Sequence, residues 1–186
     1  MPEAPFAVIV GPAEVWVAPV ATTFPVVSAA PASDWLSLGK TDGGVTVTHG
    51  QTQVKIRVDQ VTGPLKIVRT EEDLTIAFNL AELTLETYGR MLNAVTPTSD
   101  AGPPATKHIG LYQNVDVSQW ALLIRGGSPY GDWTMQYEIP KVAQSGTPSV
   151  KFTRDDKATL SVEFVALYDS SQSAGEEFGR LMAQSA

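Results

Sequence analysis

Apolar and polar residues alternate along most of this chain, which is the pattern of β-strands with one face buried and the other in water. The alternation is clearest in residues 74–80, 133–139 and 158–168. Shorter segments with the same pattern are residues 14–19, 109–114, 120–125 and 150–153. About eight or nine strands with one helix predict a mainly β fold: a β-sandwich or barrel-like domain with one flanking α-helix and a long extended hairpin arm.

One segment, about residues 81–93, has helical periodicity. Its apolar residues recur every three to four positions and so share one face: Ala81, Leu85, Tyr88, Leu92 and Val95. We predict that Leu85, Tyr88 and Leu92 are buried against the sheet. Asn79 and Glu82 predict an N-cap with a capping box. Gly89 is unfavourable inside a helix, so we expect it to mark close packing against a neighbouring segment.

Residues 45–69 predict a long two-stranded arm. The apolar positions are odd-numbered in its first part and even-numbered in its second: Val45 and Val47, then Val54, Ile56 and Val58. The apolar face therefore changes sides, and Gly50 is the predicted place for a bulge or turn that makes the change. The tip is expected near residues 59–64. Because an isolated hairpin is marginally stable in water, we expect an arm that is flexible in the free chain and orders on a partner.

The arm is basic within an otherwise acidic chain. Its charged residues are Lys55, Arg57, Asp59, Lys66 and Arg69. Two interpretations of this pattern remain open. The charges belong either to a solvated hairpin face or to an arm that docks on an acidic neighbour of the same kind.

The rest of the chain is assigned to a single domain, residues 1–172, followed by a C-terminal tail, residues 173–186. Prolines among small residues predict loops at residues 19–34 and 96–107. The tail is predicted to be a short helix or a disordered segment. Asp155 and Asp156 lie between two predicted strands, which is typical of a hairpin turn.

Composition argues against several classes of function. A net charge of −7 and an isoelectric point of about 4.7 do not fit a surface that grips nucleic acid by neutralising phosphates, although an acidic protein can pass a polyanion without holding it. The chain has no cysteine, which removes disulfides and thiol chemistry and fits a reducing cytosol. No apolar run approaches the roughly 18 residues of a membrane span, so no membrane partner is expected.

The sequence shows no catalytic, cofactor or metal pattern. His49 and His108 each lack a second ligand at metal spacing, and the glycines of residues 39–44 do not form a phosphate-binding pattern. The four tryptophans are predicted to be core residues: Trp16, Trp35, Trp120 and Trp133. We therefore expect no enzymatic activity, no metal and no cofactor.

Four stretches of the chain resemble the major tail tube proteins of long-tailed, siphovirus-type bacteriophages. They are GPAEVWVAP at residues 11–19, WLSLG with DGGV in residues 35–45, residues 73–93, and RDDKATLSVEF with ALYD in residues 154–169. Together they span most of the chain in order. The resemblance implies a non-enzymatic structural subunit that forms hexameric rings, which stack into a tube that delivers viral DNA into the host.

The resemblance also implies partners and a location. The subunit would assemble with itself in the host cytoplasm and become part of the virion tail. Further partners would be the tail terminator, tape measure and distal tail proteins, and DNA would pass through the lumen without specific binding. The arm would lock ring to ring through the five charged residues already named, Lys55, Arg57, Asp59, Lys66 and Arg69.

Two predicted strands carry a polar face that suits the lumen of such a tube. The faces consist of Asp132, Thr134, Gln136 and Glu138 on one strand, and of Thr159, Ser161 and Glu163 on the other. We predict that Asp132, Glu138 and Glu163 line the lumen, with no basic residue on the same face of those strands. The alternative is that these faces form the outer surface of the tube.

Other functions remain open on the sequence alone. Within a virus, the chain could be a tail terminator, a head–tail connector or a capsid decoration protein, and the inner tube of a contractile tail or secretion system is a related possibility. Outside this class, the alternatives are a carbohydrate-binding β-sandwich module and a hydrolase.

Overall fold

The computed structural model describes residues 11–93, 95–113, 116–152 and 154–185, and within them it contains eleven strands and one helix. The strands are β1 (Glu14–Pro19), β2 (Leu36–Ser37), β3 (Thr41–Val58), β4 (Val61–Leu80), β5 (Thr98–Asp100), β6 (Thr106–His108), β7 (Gln119–Gly127), β8 (Thr134–Gln144), β9 (Ser149–Lys151), β10 (Thr159–Ala166) and β11 (Arg180–Ala183). The helix α1 spans Leu85–Met91. The predicted mainly β fold with one helix is confirmed.

The strands form two layers that share one hydrogen-bonded path. Its order is β2–β1–β7–β8–β10–β4–β3, with β11 added to β8 and β9 added to β10. Strand β8 joins the layers, because its first half pairs with β11 and its end, Val142–Gln144, pairs with β10. A two-stranded ladder, β5–β6, lies apart from this path. The result is the predicted sandwich-like arrangement.

The core lies between the two layers. It collects the inward-facing side chains of β1, β7 and β8 from one layer, those of β4 and β10 from the other, and Met91 of α1. A second, smaller cluster contains Trp35 and Leu123, with Trp16 and Phe24 packed against it. Trp120 packs on the main core. Trp133 does not fit the prediction of a core residue, because 43% of it is exposed in the turn before β8.

Strands β3 and β4 form a hairpin with strands of 18 and 20 residues. Its turn is Asp59–Gln60, so the predicted tip is confirmed, but Thr62 to Pro64 belong to β4. The predicted bulge at Gly50 is wrong, because Gly50 pairs regularly with Asp73. The register instead shifts at Gly43–Gly44, between the pairs Thr52–Glu71 and Gln53–Arg69, and again near the tip between Ile56 and Val58. The second shift leaves Thr70 as the extra residue.

The helix is shorter than predicted and begins later. Strand β4 continues to Leu80, and the N-cap is Thr84, whose hydroxyl accepts a hydrogen bond from the Thr87 amide at 3.1 Å. The predicted cap at Asn79 is therefore wrong: Asn79 pairs with Ser161 in the sheet. Leu92 is buried as predicted, whereas Leu85 and Tyr88 are half-buried.

Gly89 packs against the chain that leaves the helix, as predicted. The amide of Val95 donates to the Gly89 carbonyl at 2.8 Å. A β-carbon at Gly89 would overlap the Val95 carbonyl oxygen. The chain that leaves the helix can pass this close to it only because residue 89 has no side chain.

Two other segments differ from the prediction. Residues 109–113 are not a strand, and the proline-rich loop before them contains β5 and β6 instead. Residues 180–183, expected to be helical or disordered, form β11 on the edge of β8. The four-residue strand is too short to show clear alternation, so its pairing depends on the exposed edge that β8 offers.

Candidate assembly surfaces

The part of the hairpin beyond Gly50 and Asp73 projects from the domain, and we call residues 51–72 the arm. Nearly every arm residue is exposed, including the large apolar ones: Val54, Ile56, Val58, Val61, Leu65, Ile67 and Val68. Val54 pairs with Val68 across the arm, and each is 37% to 50% exposed. The arm is a two-stranded ribbon with apolar side chains, and no third strand among the described residues covers them.

The charged residues predicted for the arm differ in the contacts that they make. Lys55 and Lys66 make no hydrogen bond or ion pair with any described residue. Arg57 donates to the Thr62 carbonyl at 2.9 Å, across the turn that contains Asp59. Arg69 differs from them, because it lies at the base of the arm, forms an ion pair with Glu72 and donates to Gln51.

A second exposed surface is the outer side of the layer formed by β3, β4 and β10, which we call the polar sheet face. Its side chains are small and mostly uncharged: Thr46, Thr48, Thr75, Ala77, Asn79, Ser161 and Glu163. Glu163 stands opposite Ala77, is exposed, and accepts a hydrogen bond from the Ser145 hydroxyl at 2.9 Å. Opposite faces of the same strands carry Ile76, Phe78, Val162 and Phe164 into the core.

Glu138 does not lie on an exposed face, so its predicted place in a lumen is wrong. It is only 3% exposed, and its carboxylate accepts hydrogen bonds from Gln136 and from Arg180 of β11, the latter at 2.7 Å. The guanidinium of Arg180 has its pKa raised by the hydrogen bond to Glu138. The strand β8 itself has no basic residue on this face, as expected, but Arg180 of the neighbouring β11 pairs with Glu138 there.

The loop of residues 19–34 covers the same side of β8. Gln136 donates to the Pro25 carbonyl at 2.8 Å and accepts from Arg125 at 2.8 Å. Arg125 in turn donates to the carbonyls of Val26 and Ala29, and burial lowers the pKa of its guanidinium. The alternation in β8 could not predict that a loop covers this face. A polar side chain that is buried under a loop and a polar side chain in water give the same alternating pattern along a strand.

Asp132 lies in the turn between β7 and β8, where it is exposed. The three predicted lumen carboxylates are therefore in three different settings: a turn, a buried network and the polar sheet face. Only Glu163 has the strand position and exposure that the prediction required.

The structure pairs several polar residues that the sequence left unconnected. His108 lies 3.0 Å from Asp100 across the β5–β6 ladder, although no carboxylate is close to it in the sequence. Lys157, next to the turn predicted at Asp155–Asp156, forms an ion pair with Asp42 at 2.9 Å, and the hydrogen bond to Asp42 raises the pKa of its ammonium. That turn connects β9 and β10. Among the described residues, no group of three potential ligands could hold a metal ion.

The chain was compared with protein families, curated sequences and solved structures. A family model described as phage tail tube protein matches residues 3–176. A solved structure described as the tail of an empty GTA particle, computed with helical refinement and C6 symmetry, covers 92% of this chain and 95% of its own, with 6% identity and a TM-score of 0.44. No curated protein sequence matches the chain. No helix in the described ranges is long and apolar enough to cross a membrane.

The family match confirms the resemblance predicted from the sequence. It extends from before β1 to the segment that precedes β11, so it includes the arm, the helix and both layers. Because this match covers nearly the whole chain, the chain belongs to the phage tail tube protein family and is a structural subunit of a bacteriophage tail tube.

Proposed function

We propose that this subunit forms hexameric rings that stack into the DNA-conducting tube of a siphovirus-type tail, and that it has no enzymatic activity. The observation that carries the proposal is the arm, a projecting ribbon whose apolar side chains are not covered by any part of the chain that the structure describes. Apolar surface gains roughly 25 cal/mol per Å² when it leaves water. An arm that docks on a neighbouring ring gains this free energy only in the assembled tube.

The arm of the free subunit is proposed to be flexible and to order on assembly. Within residues 11–185, apart from the few that the structure does not describe, no third strand joins its ladder, and two-stranded ribbons are marginally stable in water. Hydrogen exchange tests this: amides 50–66 should exchange fast in verified monomer and slowly in tubes. Amides of β10 serve as the internal control, because both edges of that strand are paired. Strong protection of the arm in the monomer would contradict the proposal.

The polar sheet face is proposed to line the channel. Most of its side chains are small hydroxyls and amides without charge, although Lys151 of β9 lies on the same side, opposite Thr159. The Glu163 carboxylate repels phosphate within a range of about 10 Å at 0.1 M salt. Asp132 stays a second candidate for the lumen, from its turn before β8. DNA would then pass without specific binding.

Reversal of charge at Glu163 tests the position of this face. Glu163→Lys should leave tubes intact but slow DNA ejection from particles, because each ring of six subunits would add six lysines to the channel wall, and these would hold phosphate electrostatically. Glu163→Gln is the matched control, since it removes the negative charge without adding a positive one, and it should have a much smaller effect. Ejection at the wild-type rate by the lysine variant, or a tube map with Glu163 on the outside, would contradict the proposal.

Negative-stain electron microscopy of the purified protein tests the assembly itself. Tubes with six-fold rings are expected. Closed rings that never stack would favour a tail terminator or connector, and a strict monomer would favour a binding module. We further propose that the subunit assembles in the host cytoplasm and meets the tape measure, tail terminator and distal tail proteins in the virion tail, which co-purification of intact tails would show.

A further inference from the structure

We propose that the arm of one subunit docks in a groove at the base of the arm of a second copy. This inference rests on the proposed function and adds the acceptor surface to it. The groove lies between the base of the hairpin and the segment before β11. Its principal lining residues are Glu71, Glu72, Asp73, Tyr168, Glu177 and Phe178, and we call it the base groove.

The base groove is large enough for a strand and is open to solvent on the free subunit. It consists of two adjoining hollows of about 400 and 510 Å³, which share Arg69, Glu72, Gly175 and Phe178 as lining residues. One wall comes from β4 and the other from residues 175–179. Tyr168 is 64% exposed beside it, so the groove offers aromatic surface as well as polar atoms.

The charges of the arm and of the base groove are complementary. The projecting segment 53–68, which contains none of the groove-lining residues, has three basic residues and one acidic residue, a net charge of +2, whereas the whole chain carries −7, which leaves −9 for the rest. The groove holds four carboxylates and one cation, Arg69, which is already paired with Glu72. An arm that searches the surface of a second copy is therefore attracted to this groove.

Both members of this pair have charges without partners in the subunit. Lys55 and Lys66 on the arm are unpaired among the described residues, and so are Glu71 and Asp73 in the groove. Lys66 stands opposite Ile56, while Lys55 stands opposite Ile67, so the two lysines lie on opposite faces of the ribbon. A ribbon seated in the groove thus presents one ammonium to each wall, with an isoleucine beside it.

The arm cannot occupy the groove of its own subunit. The groove begins at the pair Gly50–Asp73, and the pair Ile56–Lys66 lies six residues farther along β3. The groove lining reaches Arg69, which pairs with Gln53, so Lys66 lies three residues beyond its outer end, roughly 10 Å at about 3.3 Å per residue. To fold back, the ribbon would have to break its own ladder. The occupant is therefore a second copy of the chain.

The contact is heterologous, because the surfaces that meet are different. Each subunit gives an arm and accepts one, and its own arm leaves from beside the groove it offers. Contacts of this type repeat without closing on themselves in pairs. The same two surfaces can thus join subunit after subunit along the growing tube.

A charge exchange in the full chain tests the proposal. The arm variant is Lys55→Glu with Lys66→Glu, and the groove variant is Glu71→Lys with Asp73→Lys. Each should remain folded and monodisperse but raise the critical concentration for tube formation at least about tenfold, because like charges would meet in the contact. The variant with all four substitutions restores opposite charges and should recover most of the assembly.

Two controls make the result decisive. Asp34→Lys with Asp155→Lys makes the same change of charge at exposed carboxylates outside the groove, and it should assemble close to the wild-type level. Circular dichroism confirms that each variant is folded. If the four-fold variant assembles no better than its parents, the arm docks elsewhere and the inference fails. If a subunit without its arm still elongates, the proposed function of the arm fails as well.

Discussion

The two halves of the β3–β4 hairpin consist of the same two strands, but the apolar side chains are buried in one half and exposed in the other. In the lower half, β4 has β3 on one edge and β10 on the other, and Leu74, Ile76 and Phe78 are buried. In the upper half, the two strands pair with each other and with no other described strand, and Ile56 and Val68 are 43% and 37% exposed. Alternation therefore identifies a strand in both halves, but only a second layer decides whether its apolar face is buried.

The change of apolar face along the hairpin has a simple geometric basis. Strand β3 runs regularly from Val45 to Thr52, so its odd-numbered residues stay on the core side and its even-numbered residues stay on the opposite side. The apolar residues of β3 change from odd to even positions along the chain, and they therefore change sides without a bulge. The extra residue Thr70 on β4 then sets Val68 opposite Val54. The pair Val54–Val68 therefore lies on the side of the hairpin that faces water in the rest of the domain. A continuation of the buried sheet would carry its apolar side chains on the core side instead.

Deletion of the arm should separate the two halves most clearly. A chain without residues 55–66 should keep the body folded, because no core side chain lies in that segment. Tube elongation should be abolished, since the docking ribbon is gone. Thermal unfolding and electron microscopy measure the two effects. Loss of the folded body on deletion would mean that the arm stabilises its own domain.

Substitution of one isoleucine in each half compares how much the two halves contribute to the free energy of unfolding. Ile76→Ala should cost about 2–5 kcal/mol of unfolding free energy, because Ile76 is fully buried in the core. Ile56→Ala should change the stability of the monomer by less than about 0.5 kcal/mol, but it should weaken elongation. Denaturant unfolding checks the first value. Equal costs at both sites would show that the arm is packed in the free subunit.

The buried network beside β11 should have an intermediate effect. Arg180→Ala removes the cation that pairs with the buried Glu138 carboxylate, and it should cost about 1–3 kcal/mol, since an unsatisfied buried acceptor remains. The exposed Arg154→Ala is the control and should be close to neutral. Addition of Glu138→Gln should recover part of the loss. A neutral Arg180→Ala would mean that β11 contributes nothing to the body.

The smallest expected effect is a pH dependence at Asp169, which caps the turn before the C-terminal segment. Hydrogen bonds from the Ser171 side chain and amide and from Gln172 hold the pKa of its carboxyl below the usual value. A lowered pKa gives stability that is present above the unfolded-state pKa and is lost as the pH falls through the folded-state pKa. Asp169→Asn should therefore destabilise near neutral pH, and the difference from wild type should shrink in acid.

The sequence alone determined the local elements and the family. Alternation located β1, β7, β8, β10 and the hairpin because strand periodicity is a property of a few neighbouring residues. Helical spacing located α1, but its predicted start was wrong. Asparagine is a favourable N-cap residue, whereas Asn79 pairs with Ser161 in the sheet. Gly89 revealed a close backbone approach because only glycine permits it.

The tertiary structure alone decided which polar faces meet water. Glu138 and Glu163 both alternate with core residues on their strands, yet the first is buried under residues 19–34 and β11, and the second is exposed. Arg180 lies 42 positions from Glu138, and Pro25, whose carbonyl bonds the neighbouring Gln136, lies 111 positions from that residue. Periodicity reports the two sides of a strand, and it carries no information about what distant segments place on either side.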